Sequence, residues 1–161
     1  MLLAIYFDSI GLIHLLASIL SLIAGTAILL MRKGTQRHRQ IGYVYAFGMS
    51  IVILTAFMIY RLFGGFGPFH IAAIVSFVTL VLGMLPILYR WNNWQYMHLS
   101  FMYWSVMGLY AAFASETLVR LPAAPFWGTV GIATTAIMVI GGIVFGMNKE
   151  RWRTIFDNEL G

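Results

Sequence analysis

The chain has 161 residues, 61% of them hydrophobic and 9% charged, with a net charge of +5. That balance argues against a soluble domain and for an integral membrane protein. With no cysteine, disulfides, thiolate metal sites and thiol catalysis are excluded.

Crossing a bilayer core takes about 20 apolar residues at 1.5 Å per residue. Five runs meet this length: 9–31, 40–62, 69–89, 97–118 and 126–147. They predict an all-α integral membrane bundle of five transmembrane helices, a four-helix core with one peripheral helix. The whole chain, 1–161, then forms one transmembrane domain, and 148–161 is a short cytoplasmic tail with an interfacial character set by Trp152 and Phe156.

The first run lacks a basic leader and carries His14, so it reads as a span rather than a secretory signal. Its His14, Ser18, Ser21 and Gly25 form a small, polar stripe at helical spacing that should face the bundle. Four cations, Arg32, Lys33, Arg37 and Arg39, separate it from the second run, which lines up His38, Gly42, Tyr45, Met49 and Ala56, with Tyr60 and Arg61 at its far end. The third opens with His70 above Ile74, Phe77, Val81 and Met84. Arg90 and an aromatic cluster at 91–96 lead into the fourth, where His98 and Glu116 share one face about 27 Å apart, and Arg120 lies a turn beyond Glu116. The fifth has no ionisable group in its apolar stretch, and its Gly131, Thr135, Gly142 and Gly146 form a small-residue packing seam.

Of the ten Lys and Arg residues only Arg61 and Arg120 fall opposite the basic face. The positive-inside rule therefore places the amino terminus outside and the carboxyl terminus in the cytoplasm of a bacterial inner membrane. Anionic lipid headgroups suit the basic face, and the charge distribution does not suit nucleic acid.

This topology sorts the four histidines into two pairs drawn from alternate helices: His14 with His70 in the outer half, His38 with His98 in the inner. Ionisable groups inside a membrane are expensive and tend to face a partner or cavity. Two imidazoles on facing helices suit bis-histidine ligation of haem b, with Arg120, Arg61 or Tyr60 near outer propionates and Arg37, Arg39 or Arg90 near inner ones. That reading is of a membrane electron-transfer protein, with a quinone or other redox partner and self-association as its expected associations. An alternative gathers His14, His70 and Glu116 around zinc or another divalent metal, with Asp8 or Arg120 in support, or uses them as a proton relay in a small transporter. Plainer roles stand beside these. His38 suits a headgroup-level position, His70 a helix start bonded to backbone, and Glu116 with Arg120 an ion pair closing the fourth helix.

The stretches "HRQIGYVYAFGM" (38–49), "FHIAAIVSFVTLVLGMLP" (69–86) and "HLSFMYWSVMGLYAAFASETLVRLP" (98–122) resemble a family of bacterial multi-pass membrane proteins, domain of unknown function 2306. The resemblance implies His38, Arg39, Gly42 and Tyr45 as one functional group and His70, His98, Glu116 and Arg120 as another. It implies no reaction.

Overall fold

A computed structural model of the chain describes residues 9–59, 64–121 and 125–158. Asp8, Tyr60 and Arg61 lie outside the described residues, as do the side chains of Arg153 and Phe156. All regular structure among the described residues is helical: α1 Ser9–Leu30, α2 Gln36–Ala56, α3 Pro68–Tyr89, α4 Trp94–Leu118 and α5 Phe126–Asn158. Three of these, over Ser9–Leu30, Pro68–Tyr89 and Phe126–Trp152, are long and apolar enough to cross a membrane.

Two helices depart from their expected bounds for local reasons. α2 starts before residue 40 because Thr35 caps it, its hydroxyl accepting the His38 amide at 3.1 Å. It ends at Ala56, where the Phe57 and Met58 amides turn back to the Ile53 and Thr55 carbonyls. Hydropathy alone registers neither device. α5 continues past residue 147 through the charged stretch, because Lys, Glu and Arg are good helix formers and Trp152 packs on Phe145 and Tyr103. The expected tail, 148–161, is thus helical as far as Asn158, continuous with α5.

The chain divides into two compact units, Met1–Phe77 and Val78–Gly161, with the boundary inside α3. In the first, α1 and α2 form an antiparallel hairpin joined by a turn whose Gly34 has φ +77°, a conformation that favours glycine. The buried residues of α1, Ala17, Ser18, Ser21, Ala24, Gly25 and Ile28, follow helical spacing and include most of the expected small stripe. They meet Tyr45, Gly48, Met49, Ile53 and Thr55, the buried face of α2.

The second unit pairs α4 with α5, also antiparallel. The Tyr103 hydroxyl donates to the Gly141 carbonyl at 2.7 Å, and the Ser115 and Thr134 hydroxyls bond at 3.2 Å. The seam on α5 lies about one residue from the expected one. Ala133 and Gly141 are buried, while Gly131, Thr135 and Gly146 are exposed. Gly142 still approaches Trp104, leaving 3.8 Å for an added Cβ. A similar displacement holds on α3, where Ala73, Leu80, Gly83 and Pro86 are buried and Ile74 and Phe77 are more than 40% exposed. Small residues mark most of the places where these helices are approached, with Leu80 the bulky one among them.

Gly48 is the tightest approach in the first unit, since a Cβ there would run into Ser21 Oγ, itself fully buried. Gly48→Ala is expected to destabilise the purified protein by about 1–3 kcal/mol, with Ser21→Ala restoring part of the loss. Thermal unfolding in detergent of the two single variants and the double variant checks this.

Candidate functional site

His14 lies more than a turn inside α1. Its Nδ1 is 2.8 Å from Thr55 Oγ1 on α2. The Thr55 hydroxyl spends its single proton on its own helix, at 2.6 Å from the Ile51 carbonyl and 3.1 Å from that of Val52. The imidazole must therefore be the donor. With the proton on Nδ1, Nε2 of the neutral ring carries the lone pair.

His98, about a turn into α4, reaches the same protonation state by a different bond. Its Nδ1 donates to the Gly83 carbonyl of α3 at 2.7 Å. Gly83 permits the approach: a Cβ there would stand 2.7 Å from Met102 Sδ and 3.1 Å from its Cγ. Its lack of a side chain gives Met102 room and lets the helix backbone serve as acceptor. His98, too, presents Nε2 as its lone-pair nitrogen.

His70 is held in the opposite sense. It occupies the third position of α3, after Gly67 and the helix-starting Pro68. The Gly67 amide donates to His70 Nδ1 at 3.0 Å, while the His70 amide returns to the Gly67 carbonyl at 3.0 Å. The side-chain bond is one half of a capping box, with an imidazole in the usual place of Glu or Gln at the third helical position; the backbone carbonyl of Gly67 takes the return bond. Phe66 stacks on the buried ring at 4.9 Å, and Phe57 approaches at 6.1 Å. In the neutral ring the proton then sits on Nε2. The expected roles of His70 as haem ligand and as metal ligand through Nε2 would require the other tautomer, with the proton on Nδ1 and this bond given up.

The other expected residues fall into two settings. At the start of α2, His38 is half-buried and Arg39 exposed, the Arg39 amide donating to the Thr35 carbonyl at 3.1 Å, while Tyr45 is fully buried two turns further in. At the end of α4, Arg120 Nη2 pairs with Glu116 Oε1 and its Nε donates to the Glu116 carbonyl at 3.1 Å. Both side chains are more than a third exposed, so the pair closes a helix end. Among the described residues no group of three His, Asp or Glu is placed to hold a metal ion.

Three participants were not apparent in the sequence. Thr55 orients His14, and an antiparallel reading of the α1–α2 turn would have set it opposite. The Gly83 carbonyl has no sequence signature beyond the glycine. Lys33, grouped with the basic face, folds back instead. Its Nζ donates to the Ile28, Leu29 and Met31 carbonyls at 2.6, 2.7 and 3.2 Å, capping α1. Burial in this position pushes its ammonium below the usual lysine range.

A family model described as predicted membrane protein, DUF2306, matches residues 11–148, a stretch that includes all four histidines, Glu116 and Arg120. Comparisons with curated proteins and with solved structures return no match.

The helix-end roles give a direct expectation. Glu116→Gln should change stability by less than about 0.5 kcal/mol, as for an exposed i,i+4 pair. His70→Ala, which removes a buried cap, should cost about 1 kcal/mol or more. Denaturation midpoints of both variants against the parent decide whether the order is as stated.

Proposed function

The chain belongs to the DUF2306 family of predicted membrane proteins, and on that premise we propose that it is a five-span inner-membrane protein that binds b-type haem through its intramembrane imidazoles and transfers electrons. The supporting observation is the shared state of His14 and His98. Each donates Nδ1–H to an oxygen on a neighbouring helix, leaving Nε2 as the lone-pair nitrogen. This is how ligating histidines are commonly oriented, the second nitrogen bonded to a carbonyl or other acceptor that fixes tautomer and ring direction. Haem bound there would supply one-electron chemistry. His14 in the first unit and His98 in the second would each hold the iron of a separate haem, and the apolar helix faces would exclude water from both. His70, committed to its cap, is not a ligand in this reading. The divalent-metal reading is less well supported, since Glu116 is already paired with Arg120.

Five spans are supported by pairing. α2 has 21 residues, about 31 Å of helix, and runs beside the apolar α1 from Gly48 against Ser21 to Thr55 against His14. α4 has 25 residues, about 37 Å, and follows α5 from Thr134 to Trp152. A helix matched along its length to a spanning partner shares its depth. The basic residues at 32–39, 90 and 149–151 then put the amino terminus outside and the carboxyl terminus in the cytoplasm.

Topology is testable without background labelling because the chain has no cysteine. Arg32→Cys and Asn92→Cys should react only from the cytoplasmic side, and Gly65→Cys and Leu121→Cys only from outside. Labelling of positions 32 and 65 from the same side would reject five spans.

Haem is tested by an optical spectrum of detergent-purified protein from a haem-replete host, oxidised and then dithionite-reduced, with elemental analysis of the same sample. The expected result is a Soret band with sharp reduced α and β bands, diminished in His14→Ala and His98→Ala and kept in His70→Asn. A colourless, folded protein without iron overturns the reading.

A further inference from the structure

The turn between α1 and α2 and the first turn of α2 carry four cations, and from residue 9 to residue 77 their unit contains no Asp or Glu at all. Lys33 is accounted for, folded onto the carbonyls that end α1. Arg32, Arg37 and Arg39 are exposed. They stand around the start of α2, whose first amides, those of Gln36 and Arg37, precede any intrahelical acceptor and add the positive end of the helix dipole. The described residues of this unit thus hold no carboxylate to pair with the three guanidinium groups, which leaves them available to an external anion.

The exposed face of α2 indicates what carries that anion. Arg39, Tyr43 and Phe47 succeed one another at intervals of four residues, all exposed, with Leu54 further along. One stripe thus passes from a guanidinium through a phenol to purely apolar groups, in the order in which a phospholipid passes from phosphate through glycerol ester to acyl chain. A free phosphate would use the first part of this stripe and leave the rest without a role.

We propose that the α1–α2 turn is a binding site for an anionic phospholipid, its phosphate held by Arg32, Arg37 and Arg39 and its acyl chain laid along Tyr43 and Phe47. Guanidinium groups suit the task because they meet phosphate oxygens two at a time. The site rests on α1 and α2 crossing the bilayer, which the cysteine labelling decides separately, and is independent of haem.

The test uses the full chain in a neutral detergent, titrated with phosphatidylglycerol or phosphatidylcholine and read as lipid-bound fraction by native mass spectrometry. Phosphatidylglycerol should bind in preference and weaken with added salt. Replacing each arginine by glutamine should weaken it by roughly fivefold, and Tyr43→Ser with Phe47→Ser should weaken it further. An Arg→Lys triple variant retains the charge that sets topology. It should keep the preference for the anionic lipid at reduced affinity, so the test stands even where the glutamine variants do not fold. Equal binding of the two lipids, indifference to the arginine substitutions, or displacement of phosphatidylglycerol by millimolar inorganic phosphate would each overturn the proposal, the last by showing a site for the anion alone.

Discussion

Water is absent from the hydrocarbon core of a bilayer, so a polar atom placed there is costly unless it finds a partner in the protein. Several hydroxyls in this chain do so without leaving their helix. Ser18 donates to the His14 carbonyl, Thr26 to that of Leu22, Ser50 to that of Ala46 and Thr117 to that of Phe113, each one turn back. Such bonds make a polar residue tolerable in lipid but say nothing about which helix lies beside which. That information rests with a few bonds that cross between helices: His14 to Thr55, His98 to Gly83, Tyr103 to Gly141 and Ser115 to Thr134.

Those crossing bonds work together with close approach. Hydrophobic burial drives folding in water, but lipid tails are as apolar as leucine, so helix pairing depends on packing and on the geometry of polar contacts. Gly48 lets α1 come near enough for Ser21 to sit against it, and the same register brings Thr55 to His14. Gly141 offers its carbonyl to Tyr103 while Met107 fills the space beside it, and Tyr103 then gathers Trp104, Phe145 and Trp152 around its ring. At the helix ends, where water and headgroups return, the devices become local again: Lys33 closes α1, Thr35 opens α2 and His70 opens α3.

This division explains what was legible in the sequence. The helices were, because long apolar runs separated by Gly, Pro and charge admit few other readings, and the inward face of α1 was, because Ser18, Ser21 and Gly25 stand out among leucines. The faces of α3 and α5 were not. In a helix apolar all round, hydropathy has no period to report, and Ile74 and Phe77 face outward as readily as Ala73 and Gly83 face in. The histidines were legible as residues that need a reason, but not their partners. Thr55 and the Gly83 carbonyl depend on the register of two helices, and the Gly67 amide on a cap that forms only once the loop before α3 has turned.

The same bonds bear on what the histidines are for. A polar contact between membrane helices contributes about 0.6 kcal/mol on average, and Tyr103 and the Ser115–Thr134 pair make such contacts with groups that stay neutral. Joining α1 to α2, or α3 to α4, thus needs no imidazole; a hydroxyl or an amide could serve without placing a titratable ring in a low-dielectric medium. His70 is different, since its place at the start of α3 gives the ring a structural task of its own. For His14 and His98 the bond to the neighbouring helix uses one nitrogen and aims the other. What distinguishes imidazole from the cheaper alternatives is a second ring nitrogen whose direction the first bond fixes.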